Sequence, residues 1–568
     1  MTVASSLSYK LPDEPVFHRL IENSKSITRV VVNDPTCNVQ ADCSKLLRDV
    51  VAFRKQLYEA LPSDLFDKDG IIAASSPYIV IVSPANYEFI VASFAILSVG
   101  GAIVPISPGV LPEEAMHFLG NSQSSVLVTT SPYRDQGAAI HEYAKSQGYY
   151  LNLLLASLET WDAPQETDVA IDPTLIIDSS RPSLVVYSSG TTGRPKGVVL
   201  SRPYFAFGYR PTSQDLVLTL GPVHWIGVLR STMYSALSGT PQEMIEPNEV
   251  VIWERLRKGG VTILWVSIPL WSRLQQHYYD VLSRLPQADL DVYLEGVKSV
   301  QLASVGGAAP MPSLLRFWRH TIGIPLEAAY GCTELGGPTT RTDSSCDREL
   351  RFSIGKPSPG VELKLSEGSE GEILMKSSLL FSGYLGDEAK TKESMTADGF
   401  FKTSDYARRV GDEYVMEGRV STDSQVIRSG PFKIPTVEVE TRLSELSFVT
   451  EACIVSIPDR DVGNRVAALV RFRPGFDGNL AIIRDALSED LALYNLPTAL
   501  RVLAPGEVIP ATDAGKVIRQ KVVQQYFTPT GDYELAPSVE VWDLSQKQQK
   551  AKAWDWNGVQ LSPQGLQM

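Results

Sequence analysis

Cysteine is scarce: this 568-residue chain has five, Cys37, Cys43, Cys332, Cys346 and Cys453, an odd set without a CxxC pair. Such usage gives no disulfide framework and fits a reducing compartment. An excess of basic charge is also missing. With 52 Lys and Arg against 65 Asp and Glu, the formal balance is −13. This argues against nucleic acid or an anionic membrane as a partner, and any phosphate ligand must be met by local charges. The N-terminus has no basic-then-apolar leader pattern, and the C-terminal Gly-Leu-Gln-Met is not a prenylation box, so a cytoplasmic location is expected. One uncharged run, residues 89–106, is long enough to raise the question of a membrane span. Gly100-Gly101 and Pro105 break it into a helix end and a short strand, and no span is expected.

The length exceeds one ordinary core and points to two or more domains, while 43% hydrophobic and 21% charged residues are globular values. Residues 1–75 mix short apolar runs with a helix-like stretch at 43–61 and carry no recognisable chemistry. Residues 79–83, 87–99 and 102–106 then read as strand, helix and strand, and 125–129 with 136–148 repeat the alternation. That rhythm predicts a large α/β domain with parallel sheet. Farther on, 439–446, 452–456, 466–472 and 480–492 predict a small α+β domain.

The most informative stretch is Ser188-Ser189-Gly190-Thr191-Thr192-Gly193-Arg194-Pro195-Lys196-Gly197, directly behind the apolar Leu184-Val185-Val186-Tyr187. Four hydroxyls, three glycines and a lysine after a short β-type run allow the backbone to pass close to an anion with its N–H groups pointing inward. Lys196 supplies a point charge for a phosphate chain. Neither common phosphate motif fits, because Pro195 precedes Lys196 and Gly197 follows it, and no Gly-x-Gly-x-x-Gly opens a helix here.

Downstream, a strand-like segment at 216–220 ends in Gly221-Pro222-Val223-His224-Trp225, placing a histidine beside an aromatic residue at a strand end. The segment 300–302 reads as strand and leads into Ser304-Val305-Gly306-Gly307-Ala308-Ala309-Pro310. Its small side chains suit either a tight turn or the close approach of a flat ligand. Tyr330-Gly331-Cys332-Thr333-Glu334 offers an aromatic ring, a hydroxyl and a carboxylate in sequence.

Together these segments resemble the acyl-adenylate-forming superfamily of acyl-CoA synthetases, aryl-CoA ligases, beetle luciferases and peptide-synthetase adenylation domains. The likeness runs from about residue 78 to 525, with its motifs in family order. It implies ATP, Mg²⁺ and CoA, or the phosphopantetheine of a carrier protein, as cofactors, with a small carboxylic acid as substrate. Ser188, Ser189, Gly190, Thr191, Thr192, Gly193 and Lys196 are then implied as the triphosphate clamp. Gly307, Ala308 and Tyr330 would serve the adenine, Thr333 the α-phosphate, and Glu334 the metal. Asp405, in Phe401-Lys402-Thr403-Ser404-Asp405, would grip the ribose with help from Arg419. His224 would lie between acyl pocket and thiol entrance. Lys516, in Thr512-Asp513-Ala514-Gly515-Lys516, would bridge carboxylate and α-phosphate. Gly383-Tyr384 is implied only as scaffold. The resemblance divides the chain into an AMP-binding domain at 1–419, a hinged mobile lid at 420–527, and a tail at 528–568 whose three tryptophans carry no motif.

Several departures from the family pattern bear on the expected activity. Ser404 stands where the family has glycine, two or three residues are inserted after the hinge, and Pro431 replaces another glycine near the expected thiol path. Local wording is most similar to ligases of the malonyl and medium-chain type. The resemblance implies that a malonate-specific member would carry arginine just before Tyr330, where this chain has Ala329; Arg230, six residues after His224, is an alternative partner for a second carboxylate, and a monocarboxylic acid is equally open. An acyl-CoA synthetase is the leading expectation. An acyl-AMP ligase loading a carrier protein and an inactive nucleotide-binding scaffold are the alternatives.

Overall fold

A computed structural model describes residues 9–75, 77–161, 169–188, 195–206, 212, 214–307, 310, 312–344, 353–419, 426–429, 432–460, 462–510, 517, 519–529 and 533–543. The uncharged run resolves as expected. Asn86 caps the Tyr87–Ser98 helix by accepting from the Phe89 N–H, and all of that helix is buried. The buried strand Ala102–Ile106 follows it. An element apolar on every side belongs inside a large core. The one charge within it, Glu88, accepts hydrogen bonds from the Ser131 N–H and hydroxyl and from the Leu158 N–H, which offsets the penalty of burying a carboxylate. Among the described residues no helix is long and apolar enough to cross a membrane. Cys37, Cys43 and Cys453 are free thiols.

The strand–helix alternation builds a seven-stranded sheet. Its parallel part is formed by Tyr78–Val82, Ala102–Ile106, Val126–Thr130 and Asn152–Ala156. Pro182–Ser188 joins parallel to Ala102–Ile106, then turns back antiparallel through Lys196–Ser201. The two described ends of the phosphate-clamp segment are therefore paired, with Lys196 directly opposite Ser188. Gly383–Tyr384, distant in sequence, adds antiparallel beyond it.

A second sheet has thirteen strands. Its parallel centre includes Val217–Thr219, Ile263–Ser267, Leu302–Gly306 and Leu326–Cys332. The strand expected at 300–302 in fact runs through Ser304, Val305 and Gly306, residues that also read as a turn. Pairing on both sides, with Ile263–Ser267 and Leu326–Cys332, overrides their weak strand propensity.

Residues beyond 425 form separate cores around a Val426–Ser429/Phe432–Pro435 hairpin and a four-stranded sheet. Helices Thr436–Glu445, Leu480–Leu487 and Arg519–Tyr526 accompany that sheet. Part of the sequence tail joins it, since Val539–Val541 pairs antiparallel with Ala499–Val502.

Candidate active site

A cavity of about 750 Å³ takes its lining from strand ends of both large sheets, from the Ile226–Ser238 helix and from Phe432 of the C-terminal hairpin. Along Leu326–Cys332 the side chains alternate, so Ala329 and Gly331 line the cavity while Tyr330 lies on the opposite, buried face. Tyr330 is 8% exposed, and its hydroxyl donates to Asp405 Oδ2 at 2.9 Å. Burial, with the Asp405 charge next, holds the phenol well above the ordinary tyrosine range, so it stays a donor. Behind it the chain doubles back so tightly that a Cβ on Gly331 would lie 2.1 Å from the Gly337 carbonyl oxygen. Only glycine fits that crossing.

Asp405 lines the cavity and is 4% exposed. It sits opposite Arg419 in the ladder between Phe401–Val410 and Glu413–Arg419. Its own N–H donates to the Thr403 hydroxyl at 3.1 Å. Ser404, the substitute for a glycine, has φ 59°, and its N–H donates to Glu372 Oε1 at 2.8 Å. The left-handed conformation explains why glycine suits this position, and serine carries the Cβ penalty there.

Ser188 and Lys196 are paired across two adjacent antiparallel strands, and both line the cavity. Lys196 Nζ lies 5.8 Å from the centre of the Tyr384 ring, and the Tyr384 hydroxyl donates to Glu334 Oε1 at 2.8 Å. Burial, followed by the nearby Lys390, lowers the Lys196 ammonium below the ordinary lysine range against the opposing pull of Asp387, Glu334 and Glu393. Thr333, Gly306 and Gly307 also line the cavity. Gly307 has φ 89°, in the left-handed region.

His224 lines the cavity with its ring edge-on to Trp225, centroids 6.2 Å apart. Its buried Nδ1 has no hydrogen-bond partner among the described residues. Burial pushes the ring down to about 4, which makes it a neutral imidazole near pH 7.

The structure thus gathers Ser188, Lys196, His224, Gly307, Thr333, Glu334 and Asp405 on one cavity, with Tyr330 behind Asp405 rather than on the wall. Ser189, Gly190, Thr191, Thr192, Gly193, Ala308 and Lys516 lie outside the described residues, as does Pro431. Two contributors escaped the sequence reading. Tyr384 reads as scaffold because nothing local links it to Glu334, fifty residues earlier; the link is the strand pairing beyond Lys196–Ser201. Phe432 also lines the cavity, with its ring stacked on Tyr494 at 4.6 Å.

Comparison with known proteins places this geometry in context. The family described as AMP-binding enzyme matches residues 70–385. Acyl-CoA ligase oryP of Aspergillus oryzae is 31% identical over 547 residues, covering 94% of this chain and 97% of the relative. Mitochondrial malonate–CoA ligase ACSF3 of Mus musculus is 26% identical over 485 residues, covering 78% and 81%. Among solved structures, a malonyl-CoA ligase complex with methylmalonyl-CoA and AMP superposes with a TM-score of 0.65 at 24% identity, covering 85% of this chain and 96% of that one. The amide bond synthetase McbA of Marinactinospora thermotolerans gives 0.68 at 20% identity, covering 89% and 98%. These two structures share the fold.

Proposed function

The chain belongs to the AMP-binding enzyme family, and on that premise we propose that its cavity activates a carboxylic acid with ATP and passes the acyl group to the thiol of CoA. The protein is an AMP-forming acid–thiol ligase. The observation that carries this reading is the convergence on one cavity of Lys196, Glu334 and Asp405, which come from three distant parts of the sequence. A relative spanning nearly the whole chain is named an acyl-CoA ligase, which favours free CoA over a carrier protein as acceptor.

In the first step a carboxylate oxygen bonds to the α-phosphorus of ATP and the bond to pyrophosphate breaks. In the second, the thiol sulfur bonds to the acyl carbon and AMP leaves. Both reactants in the first step are anions, so the protein's contribution is positioning and charge neutralisation. On this reading Lys196 and the 188–193 loop hold the β- and γ-phosphates, and Thr333 holds the α-phosphate. Asp405, kept in place by the Tyr330 hydroxyl, accepts the ribose hydroxyls with Arg419 opposite. Neutral His224 stands between the acyl group and the thiol path. Residues 1–419 hold the substrates, and residues 420–527 act as a lid that brings in Lys516.

Glu334 suits Mg²⁺. It is a hard oxygen donor whose Oε1 is oriented by Tyr384. Among the described residues there is no group of three or more His, Cys, Asp and Glu that could hold a metal ion, and Mg²⁺ typically takes one or two carboxylates, with substrate phosphates and water completing its shell. The ion would supply neutralisation of phosphate charge.

The test is isotope exchange between pyrophosphate and ATP across a panel of carboxylic acids. Exchange should require an acid and fall at least ~100-fold in Lys516→Ala. Exchange at the wild-type rate in that variant would remove Lys516 from the chemistry. Absence of exchange with every acid would favour a binding protein over an enzyme.

A further inference from the structure

The Pro112–Ser122 helix takes no part in the chemistry assigned above, yet two of its side chains reach both ends of the phosphate-clamp stretch. His117 and Asn121 stand four residues apart and so share one face of that helix. His117 Nε2 meets the Pro195 carbonyl, just before Lys196, at 3.0 Å. A carbonyl only accepts, so Nε2 carries the proton and donates. Asn121 Oδ1 accepts from the hydroxyl of Tyr187, just before Ser188, at 2.8 Å. The Asn121 amide also reaches the Leu385 carbonyl at 3.5 Å, and the Leu385 N–H donates to the Gly197 carbonyl at 2.8 Å. Between the two polar residues, Phe118 sets its ring edge-on to Tyr187 with centroids 4.6 Å apart, and the His117 ring does the same at 6.1 Å.

The bond to Pro195 acts on the residue that follows it. A pyrrolidine ring already fixes φ, so ψ is the torsion left to aim the Pro195 carbonyl and the peptide plane that leads into Lys196. A donor held on that carbonyl fixes ψ as well. Pro195 is buried, where a carbonyl needs such a donor in any case. Pairing with Ser188 holds Lys196 from the other side. The direction in which this long side chain leaves the backbone is thereby set before any ligand arrives, the condition under which a charge stabilises best. Pro195 and Lys196 line the cavity, whereas His117 stands behind them.

We propose that His117 is a positioning residue of the triphosphate site, which aims Lys196 at the β- and γ-phosphates of ATP by holding the Pro195 carbonyl. The inference rests on reading Lys196 as the cation that meets those phosphates.

The test measures dissociation constants of MgATP and of AMP by titration calorimetry on the full-length protein. AMP lacks the phosphates that Lys196 would meet, so it reports on the fold and on the rest of the site. His117→Leu should weaken ATP by ~10-fold and AMP by less than about 2-fold. His117→Gln, whose amide N–H can take the place of Nε2, should keep ATP within about 3-fold of wild type. In a Lys196→Ala background, His117→Leu should cost less than about 2-fold in ATP affinity, because the group it aims is gone.

Equal loss of ATP and AMP in His117→Leu overturns the inference, since the ring would then serve the fold. So does wild-type affinity in that variant, an undiminished loss in the Lys196→Ala background, or a His117→Gln variant as weak as His117→Leu. The expected binding pattern, without pyrophosphate exchange on any acid, would remove the ligase reading and keep this inference. Failure of the wild type to bind ATP would remove both.

Discussion

At the scale of single residues, His224 shows how burial sets chemistry. Its ring titrates at about 4 because it is desolvated, against an ordinary value of 6.5. Between those values the unfolded chain binds a proton that the folded chain does not. Stability from this residue is therefore complete above pH 6.5 and is lost as pH falls toward 4, with a slope of up to about 1.4 kcal/mol per pH unit. Replacing it as His224→Gln should flatten that loss. Unfolding free energies compared between neutral pH and about pH 5 should fall by about 2 kcal/mol more in wild type than in the variant. Parallel decline of the two proteins would show that the ring is protonated in both states. Sequence reading singled out this histidine from its place beside Trp225 at a strand end. Its neutral state was not legible, because desolvation is a property of the packed cavity. Tyr330 teaches a related lesson. Its place in the motif is plain in the sequence, but the alternation of Leu326–Cys332 turns it behind the wall, where it holds Asp405.

At the scale of elements, the parts legible in the sequence are those whose burial pattern is uniform. The Tyr87–Ser98 helix and the strand after it are buried throughout, so their apolar runs and glycine punctuation are unambiguous. The clamp is legible as a stretch of unusual composition, but the antiparallel pairing of Lys196 with Ser188 at its ends is not, since that is a matter of register. The tail was the least legible. Its strand Val539–Val541 is three residues long, too short for periodicity, and its partner Ala499–Val502 is nearly forty residues away.

That short strand nevertheless closes the C-terminal sheet. Glu540 accepts from the Leu480 N–H at the start of the Leu480–Leu487 helix, at 2.8 Å. The Trp542 N–H group of the backbone donates to the Thr498 carbonyl at 2.9 Å. The Trp542 ring receives the Arg484 guanidinium at 4.3 Å. Arg484 is itself 5% exposed and donates to the Pro497 carbonyl at 2.7 Å. A cation over an indole face gains most where water is excluded. Trp542→Ala is accordingly expected to destabilise the C-terminal sheet by ~2 kcal/mol, measured by urea unfolding followed by circular dichroism. An unchanged midpoint would mean that the strand holds without its tryptophan.

At the scale of the whole molecule, the site is legible as a list of residues and not as an arrangement, because its members lie on separate sheets and one comes from the C-terminal hairpin. Phe432 lines the cavity, stacked on Tyr494 with an interplanar angle of 15°. The ring is thus stacked within the C-terminal part of the chain while it lines a cavity whose other walls come from the two large sheets. If the lid serves two steps in two orientations, the orientation seen here, with the hairpin against the cavity, serves only one of them. If the segment around Phe432 serves the thiol path, as its resemblance to the family's loop implies, this arrangement would be the one for thiol transfer. Phe432→Ala should therefore leave acid-dependent pyrophosphate exchange within about 3-fold of wild type, yet slow transfer from a supplied acyl-adenylate to CoA by ~10-fold or more, the scale expected when a positioning group near the reacting atoms is lost. The comparison separates two half-reactions in one protein, so a general loss of folding would depress both. The reverse pattern, with exchange impaired and transfer intact, would assign this orientation to adenylation and place thiol entry in the other one.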